Sequence, residues 1–356
     1  GETLASAGDD GSIRLWNASD GKQVDGFPAH DGMVFGVEFT PDSGHLISCG
    51  SDSVVHLWSN GRKEASFRDH TSRVEAIAVS PDGRWLASVS KDRSLVVRDL
   101  QTGKLHFRWD EGLGTLSSVA FSPDSKKVAA VEGSGETKWL RLFDVGSGAA
   151  IFRQQHSDGI CSVAFSPEGN RLLTTDRSGT ARVWKVADSP ESSFANEPSG
   201  IWQAHDSRAY LGVFEPGGTS VLTVGQDGRV CRLIFDDSSE RVLDTTALQS
   251  GSDGDARDFD LNSITFHPND RDILAASPAG MLLLSADGGS TPVISPTARD
   301  NAWRCIAKPP DGRWVVLAGS THLHGTEVGQ RRPAHVWCYE TKSGVWRKLL
   351  QTRSNS

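Results

Sequence analysis

A short phrase recurs along this chain: an apolar alternating run, a polar residue, a Pro, then an acidic residue and often Gly. It reads VEFTPDSG at 37–44, IAVSPDGR at 77–84, VAFSPDSK at 119–126 and VAFSPEGN at 163–170. Weaker copies follow as VFEPGGTS at 213–220, ITFHPNDR at 264–271 and IAKPPDGR at 306–313. The prolines (Pro41, Pro81, Pro123, Pro167, Pro216, Pro268, Pro310) are spaced 40, 42, 44, 49, 52 and 42 residues apart. A period of this length means stacked copies of one supersecondary unit, none of which buries both of its faces alone. The 356 residues are therefore read as one repeated architecture rather than two or three unrelated domains.

Each repeat reads as four short strands. The second is LASAG at 4–8, LISCG at 46–50, LASVS at 86–90 and VLTVG at 221–225. A turn containing Asp leads to a third strand: SIRLW at 12–16, VVHLW at 54–58, SLVVR at 94–98, TARVW at 180–184 and AHVWC at 334–338. A Gly turn closes it (DGK 20–22, NGR 60–62, TGK 102–104), and a weaker fourth strand ends near a His. Short alternating strands with turns every ~8–12 residues predict an all-β meander. The 37 glycines exceed the usual ~7% because each repeat needs several turns. No helical periodicity longer than about one turn appears, which excludes α/β barrels and dinucleotide-binding folds. Gly1 aligns with Gly83 and Gly312, so the phase predicts eight units: 1–30, 31–70, 71–110, 111–156, 157–205, 206–260, 261–300 and 301–356. The first unit would lack its inner strand. Seven units plus the tail of a preceding one is the alternative, and in either case the chain reads as part of a larger polypeptide.

The second strand, Asp turn and third strand resemble the WD-repeat β-propeller family, in its bacterial form, across essentially the whole chain. The resemblance implies an all-β propeller in which a His before the inner strand, a Ser or Thr, an Asp and a Trp form a hydrogen-bonded set. His30, Ser48, Asp52 and Trp58 keep all four. Ser6, Asp10 and Trp16 keep three without a preceding His; His70, Ser88 and Asp92 keep three with Arg98 in the Trp place. His205, Thr223 and Asp227 keep three with Leu233 there, and His156, Thr174 and Trp184 keep three with Ser178 at the Asp position. Around 111–156 and 261–356 only Phe143–Asp144 and Trp337 match the third-strand ending. A buried Asp needs donors, so the His, the hydroxyl and the indole N–H are all expected to serve it. A set repeated in blade after blade is a staple, not a catalytic triad.

Charge and cysteines narrow the function classes. The net charge, 37 − 45 = −8, and the lack of a basic stripe speak against nucleic acid as a partner. No apolar run approaches the ~18 residues of a membrane span. Cys49, Cys161, Cys231, Cys305 and Cys338 are odd in number, without a CxxC pair, and read as reduced thiols. With no signal peptide in GETLASAG, the expected setting is cytoplasmic.

Three segments depart from a minimal repeat. Residues 236–260 carry a net −6 of the −8 on what reads as one long connection. DGDARDFD at 253–260 lacks the ligand spacing of a calcium loop, since Arg257 interrupts it. STHLHGTEVGQRRP at 320–333 holds His322, His324, Arg331 and Arg332, with His335 beyond, and is read as a basic loop rather than a zinc site. VADSPESSFANEPSG at 186–200 reads as a linker. The resemblance places the first two on the family's top face, with Met33, Phe35, Arg73, Glu75, Arg208, Tyr210, Trp303 and Arg304 around its central mouth. These, with Arg331 and Arg332, are the candidate partner-binding residues, although Phe35 and Trp303 could instead be inner-strand core. The Asp-x-x-Thr-Gly of DLQTGKLHFRW at 99–109 resembles a quinoprotein docking motif in one copy only. No nucleophile elbow, HExxH or phosphate loop appears. The expectation is a non-catalytic scaffold or sensor that binds a protein or peptide, without cofactor or metal. The alternatives are an autoinhibitory sensor domain of a kinase, protease or nucleotide-switch protein, and a propeller enzyme with a quinone or metal.

Overall fold

The computed structural model describes residues 3–17, 22–134, 138–186, 197–227 and 229–234, together with strand backbones between 241 and 351. Among the described residues there are eight antiparallel sheets and no helix. They cover residues 3–28, 34–67, 74–109, 115–155, 160–203, 209–245, 263–293 and 301–351. The first has three strands and the other seven have four, each in simple chain order. The chain divides into two compact units: Gly1–Pro28, Val224–Val230 and Asp244–Ser356 in one, Ala29–Thr223 and Cys231–Leu243 in the other.

The second unit shows how the repeat buries itself. The inner strands Val34–Phe39, Val74–Val79, Thr115–Phe121, Ile160–Phe165 and Ala209–Phe214 pack successively side by side. The core lies between neighbouring sheets. On Lys127–Ser134, Val128 and Ala130 face the third sheet, joining Val89, Leu95 and Val97, while Ala129 and Val131 join Ile160 and Leu172 of the fifth. Strand periodicity of two sends alternate residues to opposite faces, and both faces are covered. Second strands such as Leu46–Gly50 are therefore buried at every position.

Among the described residues the Pro phrase closes the lower end of the second to sixth sheets. Ser80 Oγ donates to Asp82 (2.5 Å) and accepts from Trp85 N (2.8 Å), while Asp82 accepts from Arg84 N. Thr40 with Asp42 and Ser122 with Asp124 repeat the arrangement. The residue after each acid takes a left-handed conformation: Gly83 at φ 73°, but Ser43 at 58° and Ser125 at 60°. A side chain strains that conformation. Ser43→Gly is expected to stabilise the chain by about 0.5–1 kcal/mol in urea denaturation. Ser125→Gly should gain less, because Ser125 Oγ also accepts from Asp82 N of the neighbouring repeat (3.1 Å).

One sequence expectation is corrected here. Residues 236–260 are not a single connection, because Arg241–Thr245 forms the fourth strand of the sixth sheet. The fourth strands are the most weakly patterned, so charge alone hid this one. The remaining acids of that segment, the linker residues 187–196, and His322, His324, Arg331 and Arg332 lie outside the described residues.

Candidate functional site

The sets of His, Ser or Thr, Asp and Trp occupy the upper end of the sheets, opposite the Pro turns. In the second sheet Trp58 Nε1 donates to Ser48 Oγ (2.9 Å). Ser48 Oγ lies 2.7 Å from His30 Nε2, and His30 Nδ1 lies 2.8 Å from Asp52. The indole thus serves the hydroxyl and not the carboxylate, which corrects the expectation that three donors converge on Asp. With Asp52 ionised, His30 donates through Nδ1 and accepts a hydrogen bond from the Ser48 hydroxyl at Nε2. Asp52 also accepts from Asp31 N and Val54 N, knitting two loops together. Burial pushes its carboxyl up, but the His30 bond and these N–H groups outweigh that and hold it below its ordinary value.

The other sets vary around this relay. Ser88, His70 and Asp92 repeat it (2.8 Å and 3.2 Å), and Ser94 and Thr71 N add donors to Asp92. Arg98, in the Trp place, instead grips Asp69 and lies over Phe67 at 4.4 Å. His205 meets Thr223 at 2.9 Å, Leu233 is fully buried in the Trp place, and Asp227 accepts from Arg229 N (3.1 Å). Trp16 donates to Ser6 (2.9 Å), and Arg14 takes Asp10 (2.6 Å). In the fifth sheet Trp184 donates to Thr174 (2.9 Å), but Ser178 does not replace the missing Asp. Ser178 Oγ donates to Asp176 (2.6 Å), two residues earlier, and Asp176 pairs with Arg182. Among the described residues His156 Nε2 is left buried without a partner.

The fourth sheet lacks the His, Ser and Trp of the set. Gly112, Ala130 and Phe143 stand where His, Ser and Trp would, so none of these three is left without its partner. Glu132 and Arg141 form a buried ion pair beside them (3.4 Å). Sequence reading missed the third-strand arginines Arg14, Arg141 and Arg182, each two residues before the Trp or Phe place and each paired with a carboxylate. The recurring IRLW, LRLF and ARVW were the available signal.

Two chemical readings lose their residues to structure. His30, Asp52 and His56 bring possible ligand atoms within 4.8 Å of one another. Both His30 nitrogens are already engaged, however, and His56 Nδ1 meets Ser66 Oγ at 2.9 Å. Asp99 of the quinoprotein-like stretch accepts from Thr102 N and Oγ1 (2.9 and 3.1 Å), closing an ordinary hairpin.

Of the candidate partner residues, Phe35, Glu75, Trp303 and Arg304 sit on inner strands broken by a recurring β-bulge, and Met33 and Arg73 immediately precede two of those strands. Pairing slips between Val34 and Gly36, Val74 and Ala76, Leu116 and Ser118, Ile160 and Ser162, and Trp303 and Cys305. One residue per strand is therefore left out of the ladder: Phe35, Glu75, Ser117, Cys161 and Arg304. Bulges re-aim side chains in this way. Phe35 is 37% exposed and Met33 40%, so Phe35 is not core. Arg73 lies over the Phe35 ring at 5.5 Å and donates from Nε to Glu75 (2.6 Å). Arg208 lies over Tyr210 at 5.7 Å. Trp303 and Arg304 belong to the strand Asn301–Ala307, of which only the backbone is described.

Buried His56 and His156 and half-buried Glu38 give these sheets an uneven response to pH. Burial, then the facing His30 and Lys63, lower His56 from 6.5 to about 4. Burial and Arg182 lower His156 to about 3. An unfolded chain protonates these imidazoles first, so both withdraw stability as pH falls below about 6.5. Glu38 opposes them: burial raises it from 4.5 to about 7, so its contribution is present below pH 4.5 and lost as pH rises through 7. Glu38→Gln is expected to gain stability relative to the parent between pH 4.5 and 7 and then level off. Urea midpoints across that range measure it, and a pH-independent difference would refute it.

The family model described as "WD domain, G-beta repeat" matches residues 1–17, 21–59, 61–99 and 150–185. The fourth sheet, with Gly112, Ala130 and Phe143, falls largely between those matches. The chain is 31% identical over 168 residues to small ribosomal subunit protein RACK1y of Oryza sativa, covering 44% of this chain and 49% of that protein. It is 24% identical to target of rapamycin complex subunit wat1 of Schizosaccharomyces pombe, covering 64% of this chain and 72% of that one. It is 29% identical to apoptotic protease-activating factor 1 of Rattus norvegicus, covering 52% of this chain and 15% of that one. It thus spans about half of the first relative and a small fraction of the last. A chain in the crystal structure of a mitotic checkpoint complex shares the fold at a TM-score of 0.57, with 19% identity over 63% of this chain and 68% of that one.

Proposed function

Since this chain belongs to the WD-repeat β-propellers, whose sheets hold loops still, we propose that it is a non-catalytic scaffold. It would bind a protein or peptide at the upper end of its sheets. The bulged position carries the reading. The frame repeats from sheet to sheet, while its content changes from Phe35 to Glu75, Ser117 and Cys161. A constant frame bearing different side chains suits recognition, whereas the repeated Ser, His and Asp are consumed as staples. Rigid strands lose little entropy on binding, which favours affinity without catalysis. The relatives named for a ribosomal subunit and for a target of rapamycin complex support a role in assemblies.

Cross-linking capture tests this. The Met33→Ser/Phe35→Ser chain should lose the partners held by the parent while keeping its thermal transition. Leu105→Ser, on the outer strand Leu105–Trp109, should retain them. Equal capture by all three would refute the reading.

A further inference from the structure

Six large apolar side chains are exposed among the described residues, and three of them flank one basic corner: Met33, Phe35 and Leu113 at 40%, 37% and 61%. Phe35 adjoins Arg73 through the ring contact at 5.5 Å, and Met33 lies two residues before it. Lys91 N donates to Arg73 O (3.1 Å), linking that strand to the turn carrying Lys91 and Arg93. Leu113 stands on the far side, following Gly112, where a Cβ would collide with the Arg93 carbonyl oxygen.

The corner gathers three exposed cations, and the acids at its centre are already engaged. Lys91, Arg93 and Arg73 are exposed. Of the neighbouring acids, Glu75 is held by Arg73 Nε, and Asp92 by His70, Ser94 and Thr71 N. Asp31 and Glu111 are further acids, each two residues before Met33 and Leu113 in the sequence. Arg73 is pre-set for a carboxylate: Glu75 fixes Nε, Phe35 backs the guanidinium plane, and among the described residues no acceptor meets Nη1 or Nη2. A guanidinium held this way takes a carboxylate through its remaining donors with little further ordering.

We propose that this corner docks a protein segment in which carboxylates are flanked by bulky apolar side chains. The acids meet Arg73, Lys91 and Arg93, and the apolar groups cover Phe35 with Met33 on one side and Leu113 on the other. This rests on the scaffold reading and specifies the chemistry of its partner.

The probe is a short fluorescein-labelled peptide with a Leu-Asp-Glu-Leu core, compared with its Leu-Asn-Gln-Leu counterpart by anisotropy on the full chain. The acidic peptide should bind, and roughly tenfold more weakly in high salt, to Arg73→Gln, or as the amide counterpart. Arg84→Gln, at a lower-end turn, should bind like the parent. Equal binding of the two peptides, no binding of the acidic one, or no effect of Arg73→Gln would overturn the proposal. If any of these occurs while Met33→Ser/Phe35→Ser still abolishes partner capture, the scaffold reading stands and this inference alone falls.

Discussion

Glu132→Ala is expected to cost about 3–5 kcal/mol, the largest loss from any single substitution considered. Glu132 is fully buried, and its carboxylate meets Arg141, itself 8% exposed, at 3.4 Å. Removing the acid leaves a guanidinium in a dry interface between two rings, Trp109 at 4.6 Å and Trp139 at 5.6 Å. Those ring faces attract the cation, but they supply no acceptor for its N–H groups. Replacing both partners together, as Glu132→Leu/Arg141→Met, should be close to neutral, because no charge is stranded. Urea unfolding followed by tryptophan fluorescence distinguishes the two variants. A double substitution as damaging as the single one would show that packing, rather than the ion pair, sets the cost.

Ser48→Ala should follow at about 2–4 kcal/mol, far more than a lost hydroxyl on a surface. Ser48 is the middle of the relay, so its removal strands two buried donors or acceptors, Trp58 Nε1 and His30 Nε2. Each unsatisfied buried group carries a desolvation cost of about 1–3 kcal/mol. Adding Trp58→Phe should cost less in the Ser48→Ala background than in the parent, because the indole N–H has already lost its acceptor. The fourth sheet is the natural precedent: Gly112, Ala130 and Phe143 replace three members of the set together, leaving none behind. A double-mutant cycle with no coupling between Ser48 and Trp58 would contradict the relay.

Much of this architecture was legible before any coordinates. The Pro spacing marks the repeats, because the hydroxyl–Pro–acid turn is satisfied within about five residues. The members of the staple sets were equally readable, since Ser6 and Trp16, and Ser48 and Trp58, recur at one spacing, but that the indole serves the hydroxyl was not. The exchange of Asp176 for Ser178 was not. Asp176 ends a strand and Ser178 lies in the turn after it, and only the folded backbone brings the Asp176 carboxylate to the arginine.

The upper-end site was legible as a set of positions and not as an arrangement. Phe35 reads in the sequence as core or as contact with equal justice, and the bulge between Val34 and Gly36 turns it outward. A bulge belongs to a pair of strands, so no single run of residues encodes it. The stacking of Arg73 on Phe35 joins side chains from neighbouring sheets, 38 residues apart by number (73 − 35).

The sequence by itself determined the all-β repeat, its period, its turns and most of its staples, because each rests on interactions that recur at fixed short separations. The tertiary structure alone decided which donor serves which acceptor, which arginine finds a carboxylate, and which side chains leave the ladder. Those outcomes depend on how one sheet lies against the next, where distance along the chain ceases to measure distance in space.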